Sequence, residues 1–141
     1  MGAKPLNILL VEDDEVDVMT VRRAFRDVGV RHSLHVAENG EEALSMLRAG
    51  NCPSDNCLVL LDLNMPHMDG HEFLQRLRDD PELHRTPVVV LTSSNREQDR
   101  LQAYDRNVAG YLLKPPTFPR FLELAATLDH YWSEVEMPPS A

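Results

Sequence analysis

The sequence predicts an α/β fold, a parallel sheet covered by helices on both faces. Four apolar runs of strand length and one weakly alternating segment recur along the chain, and each is followed by a stretch with helical patterning. Four of these runs also stop at residues that carry chemistry: acids after the first, Asp62 after the third, hydroxyls after the fourth, a lysine after the fifth. In an open parallel sheet such ends share one edge, where ligands bind.

The first strand, Leu6-Asn7-Ile8-Leu9-Leu10-Val11, halts at Glu12-Asp13-Asp14-Glu15. Asp14 reads as the start of the first helix, where a carboxylate suits the helix dipole. Val16, Val18, Met19, Val21, Ala24, Phe25 and Val28 then recur at mostly helical spacing until Gly29. Arg22, Arg23 and Arg26 on this helix are interrupted by Ala24 and Phe25 and read as a solvated face. His32 to Ala37 alternates as a second strand, and Asn39-Gly40 leads into a helix from Glu41 to Ala49, closed by Gly50. Gly50 to Asn56 reads as a surface loop. Cys52 and Cys57 have no matching His or Cys pair that would make a metal motif. A cytoplasmic setting also disfavours a disulfide, so Cys57 is expected as a buried strand residue and Cys52 as a loop residue.

The third strand, Leu58-Val59-Leu60-Leu61, delivers Asp62 into an irregular loop bounded by Pro66 and Gly70. Taken alone, this aspartate could equally cap a turn or a helix. A third helix runs from Gly70 to about Asp79 and is interrupted by Asp80-Pro81. His67 and His71, near this loop, read as loop and helix surface rather than metal ligands. Val88-Val89-Val90-Leu91 forms the fourth strand and ends in Thr92, Ser93 and Ser94. The fourth helix, Arg96 to Arg106, has few large apolar residues. The fifth strand, Gly110-Tyr111-Leu112-Leu113, ends in Lys114 and Pro115.

On the last helix, Phe118, Phe121, Leu122, Leu124, Ala125, Leu128, Tyr131, Trp132 and Val135 cover roughly half the circumference, wider than one core-facing stripe needs. Part of it is expected to face a partner, with self-association through Tyr131 and Trp132, since aromatic anchors are enriched at interfaces. The alternative is that both fold back on the domain's own surface.

If the strands are parallel neighbours, the acids, the hydroxyl and the lysine converge. Clustered carboxylates repel, so some stay protonated or a cation neutralises them. A few hard oxygen ligands, with room for water and phosphate oxygens, suit Mg²⁺. The constellation is suited to accepting a phosphoryl group on a carboxylate.

From Asn7 to about Leu128 the chain resembles the receiver domain of bacterial two-component response regulators, through ILLVEDDE, LLDLNMPHMDG, VVVLTSS and GYLLKP in order. The resemblance implies a flavodoxin-like (βα)5 doubly wound sheet of strand order 2-1-3-4-5, as one domain over 1–141 with its core about 6–135 and a flexible tail at 136–141. It implies Asp62 as the phosphoacceptor, fed by a phosphohistidine on a sensor histidine kinase. Glu12 and Asp13 match the acidic pair that holds Mg²⁺, Asp13 directly and Glu12 through water, with Asp62 and the backbone carbonyl of Asn64 completing the protein's share. Thr92 and Lys114 match the hydroxyl and the amine that bind the phosphoryl oxygens, Tyr111 the aromatic switch, and Lys114-Pro115 a cis peptide. The tail Tyr131-Trp132-Ser133-Glu134-Val135-Glu136-Met137-Pro138-Pro139 resembles that of stand-alone regulators paired with phytochrome kinases, which implies a light-sensing kinase as partner and a homodimer.

Two other readings compete. A haloacid-dehalogenase-like phosphatase would carry a second aspartate two residues after its nucleophile, where this chain has Asn64. A phosphorylation-independent binding module would not need every site residue. The 141 residues suffice for one core of ordinary size, and the formal net charge of -9 argues against a nucleic-acid surface. No apolar stretch approaches the roughly 20 residues of a membrane helix, and Met1-Gly2-Ala3-Lys4-Pro5 lacks the apolar centre of a signal peptide. A cytoplasmic location is therefore expected.

Overall fold

The computed structural model describes residues 6–50, 52, 56–65 and 68–138. Strands and helices alternate as β1 (Asn7–Val11), α1 (Glu15–Val28), β2 (Ser33–Ala37), α2 (Gly40–Arg48), β3 (Cys57–Leu61), α3 (Gly70–Asp79), β4 (Val88–Thr92), α4 (Glu97–Asp105), β5 (Gly110–Leu113) and α5 (Phe118–Glu134). The strands form one sheet in the order β2-β1-β3-β4-β5, with every pairing parallel. This is the doubly wound, flavodoxin-like arrangement expected.

Strand side chains alternate between faces, and the alternation builds two cores. Leu9, Val11, Val59, Leu61, Val88 and Val90 share one cluster with Leu44 and Leu47 of α2, Phe73, Leu74 and Leu77 of α3, and Ala103 of α4. Ile8, Leu10, Leu58, Leu60, Val89 and Leu91 share the other with Val21, Ala24 and Phe25 of α1 and Phe121, Ala125 and Trp132 of α5. Every residue of β3 and β4 is buried, which is why both read as unbroken apolar runs. Burying each Val, Leu, Ile or Phe side chain among these stabilises the fold by about 1.5–3 kcal/mol.

The helix ends are fixed by side chains that the sequence places there. The Asp14 carboxylate accepts the N–H groups of Val16 at 2.8 Å and Asp17 at 3.3 Å. Asn39, Asp69 and Thr117 cap α2, α3 and α5 in the same way, each cap being worth about 1 kcal/mol. Gly29, at φ 80, supplies the left-handed residue that ends α1. α4 is the exception. Its N-cap, Arg96, makes no side-chain hydrogen bond, and Ala103 is its one buried residue.

The loops leading into β4 and into β5 are clasped by Arg78 of α3. Its guanidinium donates to the carbonyls of His84, Thr86, Arg106 and Asn107 at 2.8, 2.7, 2.8 and 3.1 Å. Arg22, Arg23 and Arg26 are exposed, as expected, and the Arg23 guanidinium also lies over the Phe118 ring, 4.4 Å from its centroid.

Three expectations are corrected. Cys52 lies in the loop and Cys57 in a strand as expected, but the disfavoured disulfide is present: Cys52 is fully buried and bonded to Cys57, their Cα atoms 6.1 Å apart. The two cysteines are five residues apart in sequence, and both side chains lie in the same core cluster at a Cα spacing that a disulfide spans. The Lys114-Pro115 peptide is not cis, because no cis bond occurs among the described residues, and trans is the lower-energy form of an X–Pro bond by about 0.5–1 kcal/mol. Trp132 is not an outward anchor. It is 2% exposed and packs edge-on against Phe25, centroids 6.4 Å apart, whereas Tyr131 is 59% exposed. The wide apolar face of α5 thus serves α1 as well as the sheet.

Candidate functional site

Strand register sets the site. Val11 pairs with Leu61, and Leu61 with Val90, so Glu12 and Asp62 leave neighbouring strands side by side at the carboxyl edge. Thr92 closes β4 beside them, and Lys114 follows β5. The loop after Asp62 is held against α3 by Gly70, whose N–H donates to the Leu63 carbonyl at 3.0 Å. A Cβ at Gly70 would lie 2.6 Å from the Leu63 Cα and 2.8 Å from the Asp62 carbonyl oxygen. Only glycine lets the helix approach the loop backbone this closely.

Asp62 is buried, and both its carboxylate oxygens are engaged. Oδ1 accepts the Thr92 hydroxyl at 2.8 Å and the Asn64 N–H at 3.3 Å; Oδ2 faces the Lys114 ammonium at 3.4 Å. Lys114 Nζ also lies 2.7 Å from Glu12 Oε2 and 2.6 Å from Asp17 Oδ2. Glu12 is fixed in turn by the Asp14 N–H, 3.1 Å from its Oε1. Glu12, Asp13 and Asp62 each offer a carboxylate oxygen, all within 4.8 Å of one another.

The electrostatics follow from burial and pairing. Desolvation pushes the Glu12 carboxyl up to about 7, ahead of the lowering hydrogen bond from Lys114, and the charge of Asp62 adds to the rise. Burial alone would lower Lys114. Its hydrogen bonds to Asp17 and Glu12 and the charge of Asp62 outweigh that and hold it above the ordinary lysine range. The edge therefore carries one firmly charged ammonium against several acids, a surplus of negative charge that a hard cation would relieve.

Glu12, Asp13, Asp62, Asn64, Thr92 and Lys114 thus come together as the sequence implied. Tyr111 stands one step back. Its hydroxyl donates to the Ser94 carbonyl at 2.8 Å, and its ring packs against the core on the α2–α4 side. Ser94 continues the chain of contacts, its N–H 3.4 Å from Thr92 Oγ1 and its hydroxyl bonded to Asp99 of α4, which meets His71 Nε2 at 3.0 Å. His71 is therefore an α3–α4 contact, and His67 lies outside the described residues. Sequence reasoning missed Asp17, Ser94 and Asp99. The one signal for Asp17 was its place in the first turn of α1, directly after the acidic run.

Residues 8–126 match the response regulator receiver domain. The chain belongs to this family. It is 35% identical to the response regulator Rcp1 of Synechocystis over 97% of this chain and 95% of that protein. It is 38% identical to the probable methanogenesis regulatory protein FilR2 of Methanothrix harundinacea, covering 91% of this chain and 84% of that one. Among solved structures it resembles the phosphorylated cyanobacterial phytochrome response regulator RcpA, with TM-score 0.85, 33% identity and coverage of 96% and 99% of the two chains. The Mn²⁺-bound form of Rcp1 superposes with TM-score 0.81 and 34% identity over 95% and 99%. This receiver domain is accordingly a two-component signalling protein whose relatives include phytochrome response regulators. No helix among the described residues is long and apolar enough to cross a membrane.

Proposed function

We propose that Asp62 is the phosphoacceptor of a single receiver domain spanning 1–141, charged by a phytochrome-type sensor histidine kinase in the cytoplasm. The observation that carries this reading is the clamp on Asp62, with Thr92 on one carboxylate oxygen and Lys114 facing the other. In the transfer, an Asp62 oxygen attacks phosphorus in line, the O–P bond forms as the P–N bond to the donor imidazole breaks, and the imidazole leaves neutral after taking up a proton. Thr92 and Lys114 then bind phosphoryl oxygens. The chain assists its own phosphorylation and dephosphorylation rather than converting a separate substrate.

The cluster of carboxylate oxygens fits Mg²⁺; Asp13, Asp62 and the Asn64 carbonyl would hold it directly and Glu12 would act through water. When bound, the ion neutralises carboxylate and phosphoryl charge. Switching runs from Thr92 through Ser94 to Tyr111 and the start of α4, along the hydrogen bonds described above. The exposed Tyr131 on α5 supports a homodimer through the C-terminal helix region.

The test is phosphotransfer from an autophosphorylated phytochrome kinase. Label is expected to pass to the native chain with Mg²⁺ present and not to Asp62→Asn. Transfer from unrelated kinases only would remove the phytochrome pairing. Light scattering is expected to give a dimer mass, and a monomer mass with and without phosphorylation would contradict the dimer.

A further inference from the structure

Lys114 is shared. Its ammonium has three N–H donors and three carboxylates around it, but not equally: Asp17 and Glu12 lie at 2.6 and 2.7 Å, Asp62 at 3.4 Å. A charge-assisted N–H···O bond spans about 2.7–2.9 Å, so the contact with the acceptor is a stretched one. For Lys114 to bind a phosphoryl oxygen at ordinary length, it must loosen one of its two close partners. Glu12 is 3% exposed and also bonded to the Asp14 N–H, so it cannot be resolvated cheaply. The Asp17 side chain is 31% exposed on the first turn of α1 and returns to water when it is released.

We infer that Asp17 is a positioning residue that restrains Lys114 in the resting site, so that the lysine exchanges Asp17 for the phosphoryl group and the phosphorylated state forms against this competition. The inference rests on the phosphoacceptor reading of Asp62. Asp17 would touch neither the phosphoryl group nor the metal; it would act through Lys114 alone. Its effect is a lower occupancy of the activated state at a given phosphoryl supply.

Calorimetric binding of beryllofluoride, a phosphoryl mimic, in the presence of Mg²⁺ tests this. Asp17→Asn removes the competitor at nearly constant shape and is expected to tighten binding on the order of tenfold, the scale of one charge-assisted hydrogen bond. Asp17→Glu, which restores the carboxylate, is expected to return affinity toward the native value. A merely structural role would weaken binding in Asp17→Asn instead. A general field effect would tighten it regardless of Lys114, so the same substitution is repeated in a Lys114→Met background, where the gain is expected to vanish. Unchanged or weaker binding in Asp17→Asn, or a gain that survives in Lys114→Met, overturns the inference. If the native chain binds the mimic and Asp62→Asn does not, the phosphoacceptor reading stands in either case. If the native chain binds none, both fall.

Discussion

At the scale of single residues, the site depends on where backbone can approach backbone. Alanine at Gly70 gains helix propensity worth under about 1 kcal/mol but drives a methyl against the Leu63 Cα and the Asp62 carbonyl, neither of which can swing aside. Overpacking of this kind costs about 1–3 kcal/mol, so the clash wins. Gly70→Ala is expected to lower the urea midpoint at unchanged m. His32 gives a second test. Its Nδ1 accepts the Leu6 N–H at 2.8 Å, which leaves the proton on Nε2, 3.4 Å from Asp129. Burial lowers its pKa below 6.5, only partly offset by the charge of Asp129. The unfolded chain therefore binds the proton more readily, and this contribution to stability is lost as pH falls through about 6.5 and below. Glu12, raised from 4.5 to about 7, gives the opposite slope, losing stability as pH rises across that span. Comparing denaturation of the native chain and His32→Gln at about pH 7.5 and about pH 5.5 isolates the histidine. The native chain should lose more stability on acidification than the variant. Glu12, Asp62, Thr92 and Lys114 were legible in the sequence because each directly follows or ends a strand whose register fixes its place. The Asp17–Lys114 pair was not, since Asp17 lies within α1 rather than at a strand end and only the folded sheet shows that they meet.

At the scale of elements, the strands and helices were readable because hydrophobic periodicity and caps agree, as at Asp14, Asn39 and Gly29. α5 was misjudged because periodicity counts apolar residues without saying which neighbour covers them. Its broad face packs against α1 as well as the sheet, and Trp132 fills the space beside Phe25 and His32. Trp132→Ala is expected to destabilise the domain by about 3–5 kcal/mol, a large share of the roughly 5–15 kcal/mol of a typical domain. Trp132→Phe should recover much of that loss in the same denaturation series. If Trp132→Ala left stability unchanged and only reduced dimer formation, the outward-facing role would be restored. α4, with no side-chain cap and one buried residue, depends on Asp99 contacts to Ser94 and His71. An element so lightly anchored is suited to shift when the site changes.

At the scale of the whole molecule, parallel topology converts four separate strand ends into one chemical edge. Alternation of strand and helix was enough to foresee a sheet covered on both faces, and the order of strands followed from the family resemblance. The Cys52–Cys57 disulfide was not foreseeable, because a short loop's closure depends on its path and not on composition. The acidic surplus around one lysine, which a hard cation would relieve, is what supports the proposed phosphoryl-accepting role of this edge over a set of helix caps. Intact-mass spectrometry after incubation with a small phosphoryl donor tests this most directly, with Asp62→Asn and an EDTA control alongside. A gain of one phosphoryl group that needs Mg²⁺ and is absent in Asp62→Asn is the predicted result. No gain in the native chain under any condition, or an equal gain in Asp62→Asn, would contradict it.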